Sequence, residues 1–580
     1  MNGRSGLVTF FIFLFLLLII VFQVLSMVQA DRLYERLNQL LERLSRAGSV
    51  RVAQEKAKRA DLPGEEYPGD DGDWLVFHII AEPATLNPIT RKDIYASYIV
   101  GDEFGNVFES FLKYNLDAIE LEPLLAESYE ISENGLELTF NLRDDAYFSD
   151  GKKITTDDVI FSYQTIINPK VDAHALANYY RDIKEVIRIN DRTVKFVMRQ
   201  PYYKSVEVAG GMPILPKHIY EFDDPSEFNE HRSNPIGSGP YVFEKWDVGQ
   251  QIVLRRNENY WGPKPKLKKL VFRIITNEIA ALQALRSHEI DFIEPASEQF
   301  VELSENKEFI EEFRCISYWS PTEGYSYVGW NQLLPFFADR KVRLAMTHLI
   351  DREGIIRGIY KGLGRVVTGP FYFLGPQNNP GIEPWPYDPA KAMKLLNEAG
   401  WIDTDADGIR DKDGVLFRFK MMIPSGSPIY ERLARLIKDS MAKAGIEMII
   451  DPYEWSVFEE RLNQRNFDAI MLGWGGVVQS DPYQIWHSSQ IAGRGSNRIG
   501  FANDEADTLI EEARRTMDVE KRNKLYHKFH EILHFEQPYT FFRARPAIRF
   551  LDKRFENVKI HKIGLDIHEW YVPKEKQRYK

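Results

Sequence analysis

Cysteine is almost missing from this chain of 580 residues, which contains only Cys315. A single thiol cannot form an intramolecular disulfide, and it cannot supply a cysteine-based zinc site within one chain. The sequence therefore excludes a disulfide scaffold. The expected role of Cys315 is that of a small buried hydrophobe.

An excess of basic residues is also missing. The chain has 74 Lys and Arg residues against 85 Asp and Glu residues, which gives a formal net charge of -11. This balance repels nucleic acid phosphates, so nucleic acid is not an expected partner. No Gly-Lys loop that could cradle phosphates occurs, so we expect neither nucleotide hydrolysis nor a nucleotide cofactor.

Apolar and aromatic residues, by contrast, are abundant. Hydrophobic residues make up 44% of the chain and aromatic residues 13%. A chain of this length and composition is long enough for more than one packed core, because domains usually hold about 100 to 200 residues. Intrinsic disorder is excluded for most of the length.

The N-terminal segment predicts the compartment. Residues 7–28 are almost wholly apolar, and a stretch of about 20 apolar residues is long enough to span a membrane. Val28, Gln29 and Ala30 also have the small-residue pattern of a signal cleavage site. Residues 1–30 are therefore either an uncleaved transmembrane anchor or a cleaved signal, and in both cases the polar remainder lies outside the cytoplasm.

Residues 31–73 predict a stalk and a linker. Leu33, Leu37, Leu40 and Leu44 form one helical stripe of about two heptads, too short for a sustained coiled coil, which leaves dimerisation open. Residues 48–73 are polar and rich in Gly and Pro, as is typical of a flexible tether.

The folded body is predicted to begin near Trp74. Apolar runs of strand length, such as "WLVFHII", alternate further along with helical stripes such as the one that begins at Pro389 and ends at Gly400. Thr155 and Asp158 open one of the predicted helices with a capping pattern. This alternation indicates an α/β architecture.

Long stretches of residues 74–573 are similar to one protein family. They include "PLLAESYEISENGLELTFNLRDDAYFSDGKKITTDDVIFSY", "PIGSGPYVFEKWDVGQQIVLRRNENYWG", "VGWNQLLPFFADRKVRLAMTHLIDREGI" and "YDPAKAMKLLNEAGW". The chain resembles the extracytoplasmic solute-binding proteins of ABC importers, specifically the oligopeptide and dipeptide-binding family (family 5).

This resemblance implies a two-lobed α/β periplasmic-binding-protein fold of type II, with an extra domain in the first lobe. The chain is expected to cross between the lobes near residues 319–325 and 538–545. The expected limits are 74–320 for the first lobe, about 110–234 for its extra subdomain, 321–540 for the second lobe, and 541–580 for the return to the first.

The stretch "MLGWGGVVQSDPYQIWH" (residues 471–487) holds most of the predicted ligand site. Glycines let a ligand approach the backbone, and tryptophans supply flat apolar walls. In many peptide binders of the family, an aspartate at the position of Val477 receives the peptide amine, so this chain departs from the pattern. The ligand-binding residues predicted in this stretch are Trp474, Gly475, Gly476, Val477, Asp481 and Trp486, and capping of the following turn is the alternative role of Asp481.

Three further residues outside this stretch are predicted to reach the ligand. Glu82 and Leu86 match a family segment that reaches the cleft from the first lobe, and Trp319 lies near the first predicted crossing. Ordinary loop or core positions remain the alternative for all three.

An Asp-rich loop at residues 403–414 imitates a calcium loop. Asp403, Asp405, Asp407 and Asp411 are suitably spaced for oxygen coordination, but Gly414 stands where a bidentate Glu is expected. The sequence leaves open a structural calcium, the one cofactor considered, and an acidic turn without metal.

The segment "HEILH" (residues 530–534) has the zinc-protease spacing H-E-x-x-H. It lies in a predicted helix whose buried stripe is formed by Leu525, Phe529, Ile532 and Leu533. We expect the histidines on the opposite, solvent-exposed face, so no enzyme activity is predicted.

The sequence thus predicts a membrane-tethered receptor that captures small peptides and delivers them to an ABC permease and its ATPase. Val477 keeps an oligosaccharide or another small solute open as the ligand. A sensory receptor of the same fold is the other alternative.

Overall fold

The computed structural model describes residues 67–91, 93–101, 105–230, 234–492 and 495–579. The predicted membrane or signal segment at 1–30, including 7–28, and the stalk up to residue 66 lie outside these residues. Within the described part of the chain, no helix combines the length and apolarity needed to cross a membrane.

The strands are short and carry apolar residues on alternate or successive positions, as buried strands do. They are β1 (Trp74–Ile79), β2 (Leu112–Tyr114), β3 (Leu121–Pro123), β4 (Ala126–Ile131), β5 (Glu137–Leu142), β6 (Ile183–Arg188), β7 (Thr193–Met198), β8 (Tyr241–Asp247), β9 (Gln251–Arg256), β10 (Lys269–Ile274), β11 (Phe292–Ile293), β12 (Phe313–Tyr318), β13 (Tyr325–Trp330), β14 (Arg365–Val366), β15 (Asp411–Lys412), β16 (Val415–Leu416), β17 (Arg418–Pro424), β18 (Glu447–Tyr453), β19 (Ala469–Trp474), β20 (Tyr539–Ala544) and β21 (Ala547–Asp552).

The helices bury apolar faces against these strands or against neighbouring helices. They are α1 (Ile94–Val100), α2 (Thr156–Ile167), α3 (His174–Tyr180), α4 (Ser205–Gly210), α5 (Lys217–Tyr220), α6 (Pro225–Glu230), α7 (Glu278–Arg286), α8 (Ser297–Ser304), α9 (Lys307–Glu312), α10 (Pro335–Ala338), α11 (Arg340–Leu349), α12 (Arg352–Gly358), α13 (Pro389–Glu398), α14 (Pro428–Lys443), α15 (Trp455–Gln464), α16 (Tyr483–Trp486), α17 (Asp504–Arg515) and α18 (Val519–Glu536).

A seven-stranded mixed sheet, the first sheet, unites both ends of the described chain. Its strand order is β12-β21-β11-β1-β10-β9-β8. Strand β1 runs parallel to β10 and β11, and Phe77 stacks on its cross-strand partner Phe272 with ring centroids 5.0 Å apart. The apolar run that the sequence predicted to open the body thus becomes a central strand.

A smaller antiparallel sheet forms a subdomain between β1 and β8. Its order is β4-β5-β7-β6, and α2 packs against it. The predicted cap of α2 is present, because the Asp158 carboxylate accepts a 2.9 Å hydrogen bond from the Thr155 amide.

A six-stranded mixed sheet, the second sheet, is built from the middle of the chain. Its order is β14-β20-β13-β19-β17-β18. Strand β13 lies between β19 and β20 and is antiparallel to both, which places Trp474 directly opposite Tyr325. The loop after β19 therefore begins beside the start of β13.

The chain passes between the two large sheets twice. It leaves the first sheet at Tyr318 and enters the second at Tyr325, and it returns between Ala544 and Ala547. All of β20 belongs to the second sheet. The second sheet therefore continues past the expected domain limit at residue 540.

Ion pairs join these two connections, which we call the first passage (residues 319–324) and the second passage (residues 545–546). Glu323 on the first passage lies 3.0 Å from the Arg545 guanidinium on the second and 3.2 Å from that of Arg549. Glu294 pairs with the same two arginines. These four side chains tie the crossings to the first sheet.

The last residues of the predicted linker are part of the folded body. Gly72 donates a 3.0 Å hydrogen bond from its amide to the Lys266 carbonyl, and Asp71 pairs with Arg256. Asp73 is buried and accepts hydrogen bonds from Arg554 and from the amides of Arg578 and Tyr579. The prediction of a flexible tether is therefore wrong for residues 71–73, because the C-terminal segment covers them.

Candidate functional site

The loop that follows β19 packs on the first passage between the sheets. Strand β19 ends at Trp474, and the Gly476 amide donates a 3.1 Å hydrogen bond to the carbonyl of Thr322. Thr322 belongs to a 3₁₀ turn, Pro321–Glu323, on that passage. The predicted ligand loop is thus anchored at one of the two points where the chain changes sheets.

The two glycines of this loop have different environments. A Cβ atom on Gly476 would collide with the carbonyl oxygen of Pro321, whereas a Cβ on Gly475 would meet nothing within 4 Å. Gly476 is therefore required for close packing against the passage. Gly475 leaves open space beside the backbone.

This open space belongs to a pocket that opens to the solvent. It lies between the loop after β19, the 3₁₀ turn of the first passage and the segment 367–377. Aromatic and aliphatic side chains form most of its walls. The lining residues are Pro321, Gly324, Tyr325, Val367, Pro370, Phe371, Tyr372, Phe373, Gly375, Pro376, Gln377, Trp474, Gly475, Gly476, Val477, Val478, Ser480, Pro482, Ile485, Trp486 and Ala544.

The two tryptophans differ in how firmly they are held. Trp486 is fully buried, and its ring lies 4.7 Å from that of Tyr539. Trp474 is half-buried, lies nearly parallel to the Tyr327 ring at 6.4 Å, and donates a 3.4 Å hydrogen bond to the Tyr539 hydroxyl. Trp474 therefore offers more of its surface to a ligand, while Trp486 forms the rigid floor.

Two polar atoms of the lining residues are buried and lack a hydrogen-bond partner among the described residues. They are the hydroxyl of Tyr325 and the indole N–H of Trp486. Burial also raises the pKa of Tyr325 well above its usual value, so the hydroxyl retains its proton and can donate. A buried donor without a partner is destabilising, but both atoms are enclosed by protein and do not reach the open space of the pocket.

The segment 367–377 is held against the loop by a reciprocal pair of hydrogen bonds. The Gln377 side-chain amide donates to the Ser480 carbonyl at 2.7 Å and accepts from the Ser480 amide at 2.8 Å. Our sequence analysis did not identify this segment. The sequence feature that could have identified it is "GPFYFLGP", in which three aromatic residues lie between prolines and glycines outside any predicted helix or strand.

The structure gives Asp481 contacts other than the predicted one. Its carboxylate accepts hydrogen bonds from the Tyr202 hydroxyl at 2.7 Å, the Arg514 guanidinium at 3.0 Å and the Tyr483 amide at 3.1 Å. The side chain is 3% exposed. These contacts satisfy the carboxylate within the protein, so they favour a structural role over the binding of a ligand cation.

The three predicted residues outside the loop do not line the pocket. Glu82 accepts hydrogen bonds from the Trp246 indole at 2.6 Å and the Gly249 amide at 3.0 Å, and Leu86 is buried in the core of the first sheet. Trp319 packs edge-on against Phe373, with ring centroids 4.9 Å apart. Trp319 thus supports a pocket wall from behind, while Glu82 and Leu86 stabilise the first sheet and its loops.

The Asp-rich loop brings three of its four predicted ligands together. Carboxylate oxygens of Asp403, Asp405 and Asp411 lie within 4.8 Å of one another, without Asp407. Each also accepts a hydrogen bond inside the loop, for example Asp403 from the Gly408 amide at 3.0 Å and Asp411 from the Thr404 amide at 2.9 Å. Calcium binding stays a prediction, since the same bonds would also hold an acidic turn.

The "HEILH" helix does not have the expected orientation. His530 is buried, and its ring bonds to the Thr368 hydroxyl at 3.0 Å and accepts from the Asn379 amide at 3.2 Å. His534 stacks on Trp385, with ring centroids 4.9 Å apart. The prediction of a solvent-exposed histidine face is wrong because segment 367–385 covers this side of α18.

Burial lowers the pKa of His530 to about 4 and that of His534 also to about 4. Among the residues the structure describes, these two imidazoles do not form a group that could hold a metal. In the described structure, both imidazoles of the zinc-protease spacing instead pack against segment 367–385.

The comparisons with known proteins agree with this architecture. The family model described as "Bacterial extracellular solute-binding proteins, family 5 Middle" matches residues 120–495. The oligopeptide-binding protein AppA of Bacillus subtilis (strain 168) is 30% identical over 546 residues, which cover 92% of this chain and 96% of AppA.

Solved structures give the same result. AppA from Bacillus subtilis in complex with a nonapeptide superposes with a TM-score of 0.78 at 29% identity, over 87% of this chain and all of that one. The binding protein DppA from Helicobacter pylori with the peptide STSA gives 0.76 at 26% identity, over 87% and 99%. NikZ from Campylobacter jejuni with Ni(L-His) gives 0.74 at 26% identity, over 86% and 99%.

The family match covers more than half of the chain, and the relative matches nearly all of it. The predicted periplasmic-binding-protein fold and the family resemblance are therefore confirmed. Members of this family bind solutes outside the cytoplasm and are not enzymes. This chain belongs to the bacterial extracellular solute-binding proteins of family 5.

Proposed function

We propose that this protein captures peptides outside the cytoplasm and delivers them to the permease and ATPase of an ABC importer. The observation that carries the proposal is the aromatic pocket where the loop after β19 meets the first passage between the sheets. The similarity to an oligopeptide-binding protein over almost the whole chain supports peptide as the ligand class.

The pocket suits a ligand that is enclosed as the parts of the molecule close on it. Its walls come from the second sheet, from segment 367–377 and from the passage that joins the two large sheets. A site at such a passage changes shape when the sheets move relative to each other, so ligand binding and closure are coupled.

Titration with a synthetic library of random nonapeptides tests the proposal, with intrinsic tryptophan fluorescence as the readout. Trp474 and Trp486 line the pocket, so occupancy should change the emission in a saturable way and raise the melting temperature. Mass spectrometry of ligands retained through native purification should recover peptides. Absence of any peptide binding by both measurements would contradict the proposal.

An oligosaccharide is the second candidate ligand. Aromatic walls of the kind formed by Trp474 and Phe371–Phe373 also suit the faces of sugar rings, and the similar structure of NikZ holds Ni(L-His), which is not a peptide. Titration with a mixture of short oligosaccharides beside the peptide library separates the two. A sensory receptor of the same fold would bind the same ligand without stimulating a permease.

We also propose that residues 7–28 anchor the protein in the cytoplasmic membrane. Their apolar length supports an uncleaved anchor. Full-length protein should remain in the membrane fraction after a carbonate wash, while a variant that begins at residue 31 should be soluble. Recovery of mature protein that begins after Ala30 would favour cleavage.

A structural calcium at Asp403, Asp405 and Asp411 is the remaining proposal. Calcium added to EDTA-treated protein should raise the melting temperature, and the D405N variant should abolish that rise. An unchanged melting temperature would favour the acidic turn.

A further inference from the structure

Charge is absent from the walls of the pocket at the loop after β19. None of the described residues that line it has an ionisable acid or base of the Asp, Glu, Lys, Arg or His type. Its polar groups are neutral, namely amides and hydroxyls. A charged ligand group placed among them would lose its hydration without gaining an ion pair, which is strongly unfavourable.

The two carboxylates next to lining residues in the chain already have partners. Asp481 pairs with Arg514, and Glu323 pairs with Arg545 and Arg549. Neither side chain is more than 10% exposed. An ammonium group in the pocket would thus have to compete with guanidinium groups that are fixed in place.

Two cations lie against the rings that form the pocket walls. The Arg498 guanidinium lies 5.9 Å from the centre of the Trp474 ring, and that of Arg365 lies 5.2 Å from the Phe373 ring. Cations on the rings that form the walls repel a second cation. They therefore add to the exclusion of a ligand ammonium.

The loop offers hydrogen-bond donors instead. The backbone amides of Gly475, Val477 and Val478 make no hydrogen bond within the described part of the chain. Such groups suit the carbonyl oxygens of a peptide main chain. The adjacent aromatic walls suit an apolar side chain.

We infer that this pocket seats an uncharged, apolar side chain of the peptide and its neighbouring carbonyl groups, and that the peptide's free amino terminus is not required for binding. This inference rests on the proposed function, because it names the part of a peptide that the same site recognises. N-acetylated peptides are accordingly expected to bind as well as free ones.

The test compares one nonapeptide library in its free and N-acetylated forms by isothermal titration calorimetry. For the wild-type protein we expect affinities that agree within about threefold, and sequencing of the bound fraction should show apolar residues enriched at one position. A tenfold or larger loss on acetylation would overturn the inference. Absence of binding by both libraries would contradict the proposed function and the inference with it.

A designed carboxylate provides the matched comparison. Val477 lines the pocket and is 50% exposed, so V477D should fold and supply an anion that the wild type lacks. V477D should bind peptides with a free amino terminus more tightly than the acetylated peptides, by on the order of fivefold in affinity. The control V457D adds the same charge at an exposed valine of α15 outside the pocket and should show no preference. Equal preference in both variants would count against a specific effect of the pocket.

Discussion

Trp474 combines a ligand surface with modest structural support. Its ring is half-buried, stacks loosely on Tyr327 and reaches the Tyr539 hydroxyl at 3.4 Å. A half-buried aromatic side chain contributes less to stability than one that is fully enclosed. The same ring borders the pocket, so its main effect is expected on ligand affinity.

We expect W474A to weaken peptide binding by at least about tenfold while the free energy of unfolding falls by only about 1 to 2 kcal/mol. Calorimetric titration and urea denaturation measure the two quantities. W455A is a control, because Trp455 is 54% exposed on α15 and does not line the pocket. Unchanged affinity in W474A would remove this residue from the site.

The adjacent glycines 475 and 476 allow a matched pair of substitutions. G476A places a methyl group against the Pro321 carbonyl, and overpacking of this kind costs about 1 to 3 kcal/mol. G475A places the same group in open space and should leave the melting temperature near that of the wild type. Equal melting temperatures for the two variants would show that the backbone of the first passage shifts to make room for the added methyl group.

The helix α18 is the element whose interpretation changes most. His530 accepts a hydrogen bond at Nδ1 from the Asn379 amide, so its Nε2 carries the proton and faces Thr368. This neutral form is held inside the fold. Its imidazole therefore couples stability to pH.

The sign of this pH dependence follows from the lowered pKa. The unfolded chain takes up a proton on His530 near pH 6.5, whereas the folded protein does so only near pH 4. The stabilisation is complete above pH 6.5 and is lost as the pH falls towards 4, by about 3 kcal/mol in total. H530Q should show a flatter decline in unfolding free energy across this range than the wild type.

H527Q serves as the control for that measurement. His527 lies one turn earlier on α18, half-exposed, and contacts the Pro376 carbonyl. It should keep the wild-type pH dependence. An equally steep decline in H530Q would mean that other groups are responsible.

At the scale of the molecule, Arg514 joins the four-stranded subdomain to the body of the second sheet. Its guanidinium lies 2.9 Å from Asp182 and 3.0 Å from Asp481, between the rings of Tyr202 and Tyr483. The surrounding contacts are polar as well: the Tyr203 hydroxyl and the Lys204 ammonium donate to carbonyls at residues 480 and 479. These contacts hold the two parts together beside the pocket.

R514A leaves two carboxylates without their cation, so we expect a loss of about 3 kcal/mol in unfolding free energy. The ligand-free protein should also have a larger radius of gyration by small-angle X-ray scattering, because the subdomain contact is weakened. R515A removes an exposed neighbour that pairs with Glu511 and should change neither quantity appreciably. An unchanged radius together with unchanged stability would exclude this contact as a link between the two parts.

Much of the fold followed from local patterns. The apolar run at Trp74–Ile79 is a strand, the cap at Thr155 and Asp158 begins α2, and Pro389 begins α13. Long ordered stretches then identified the family. The loop at 474–477 was also accessible from sequence, since a glycine pair after an apolar strand permits both tight packing and an open surface.

Tertiary structure decided which side chains of that loop face the pocket. The sequence left Asp481 between ligand contact and capping of the following turn, and in the structure Tyr202 and Arg514, distant along the chain, also satisfy its carboxylate. Segment 367–377 has no periodicity, so its role as a wall became visible only once it was packed against Ser480. The sequence determined the elements and the family, because these depend on local periodicity and composition; long-range contacts alone determined which polar groups were already satisfied and which remained for a ligand.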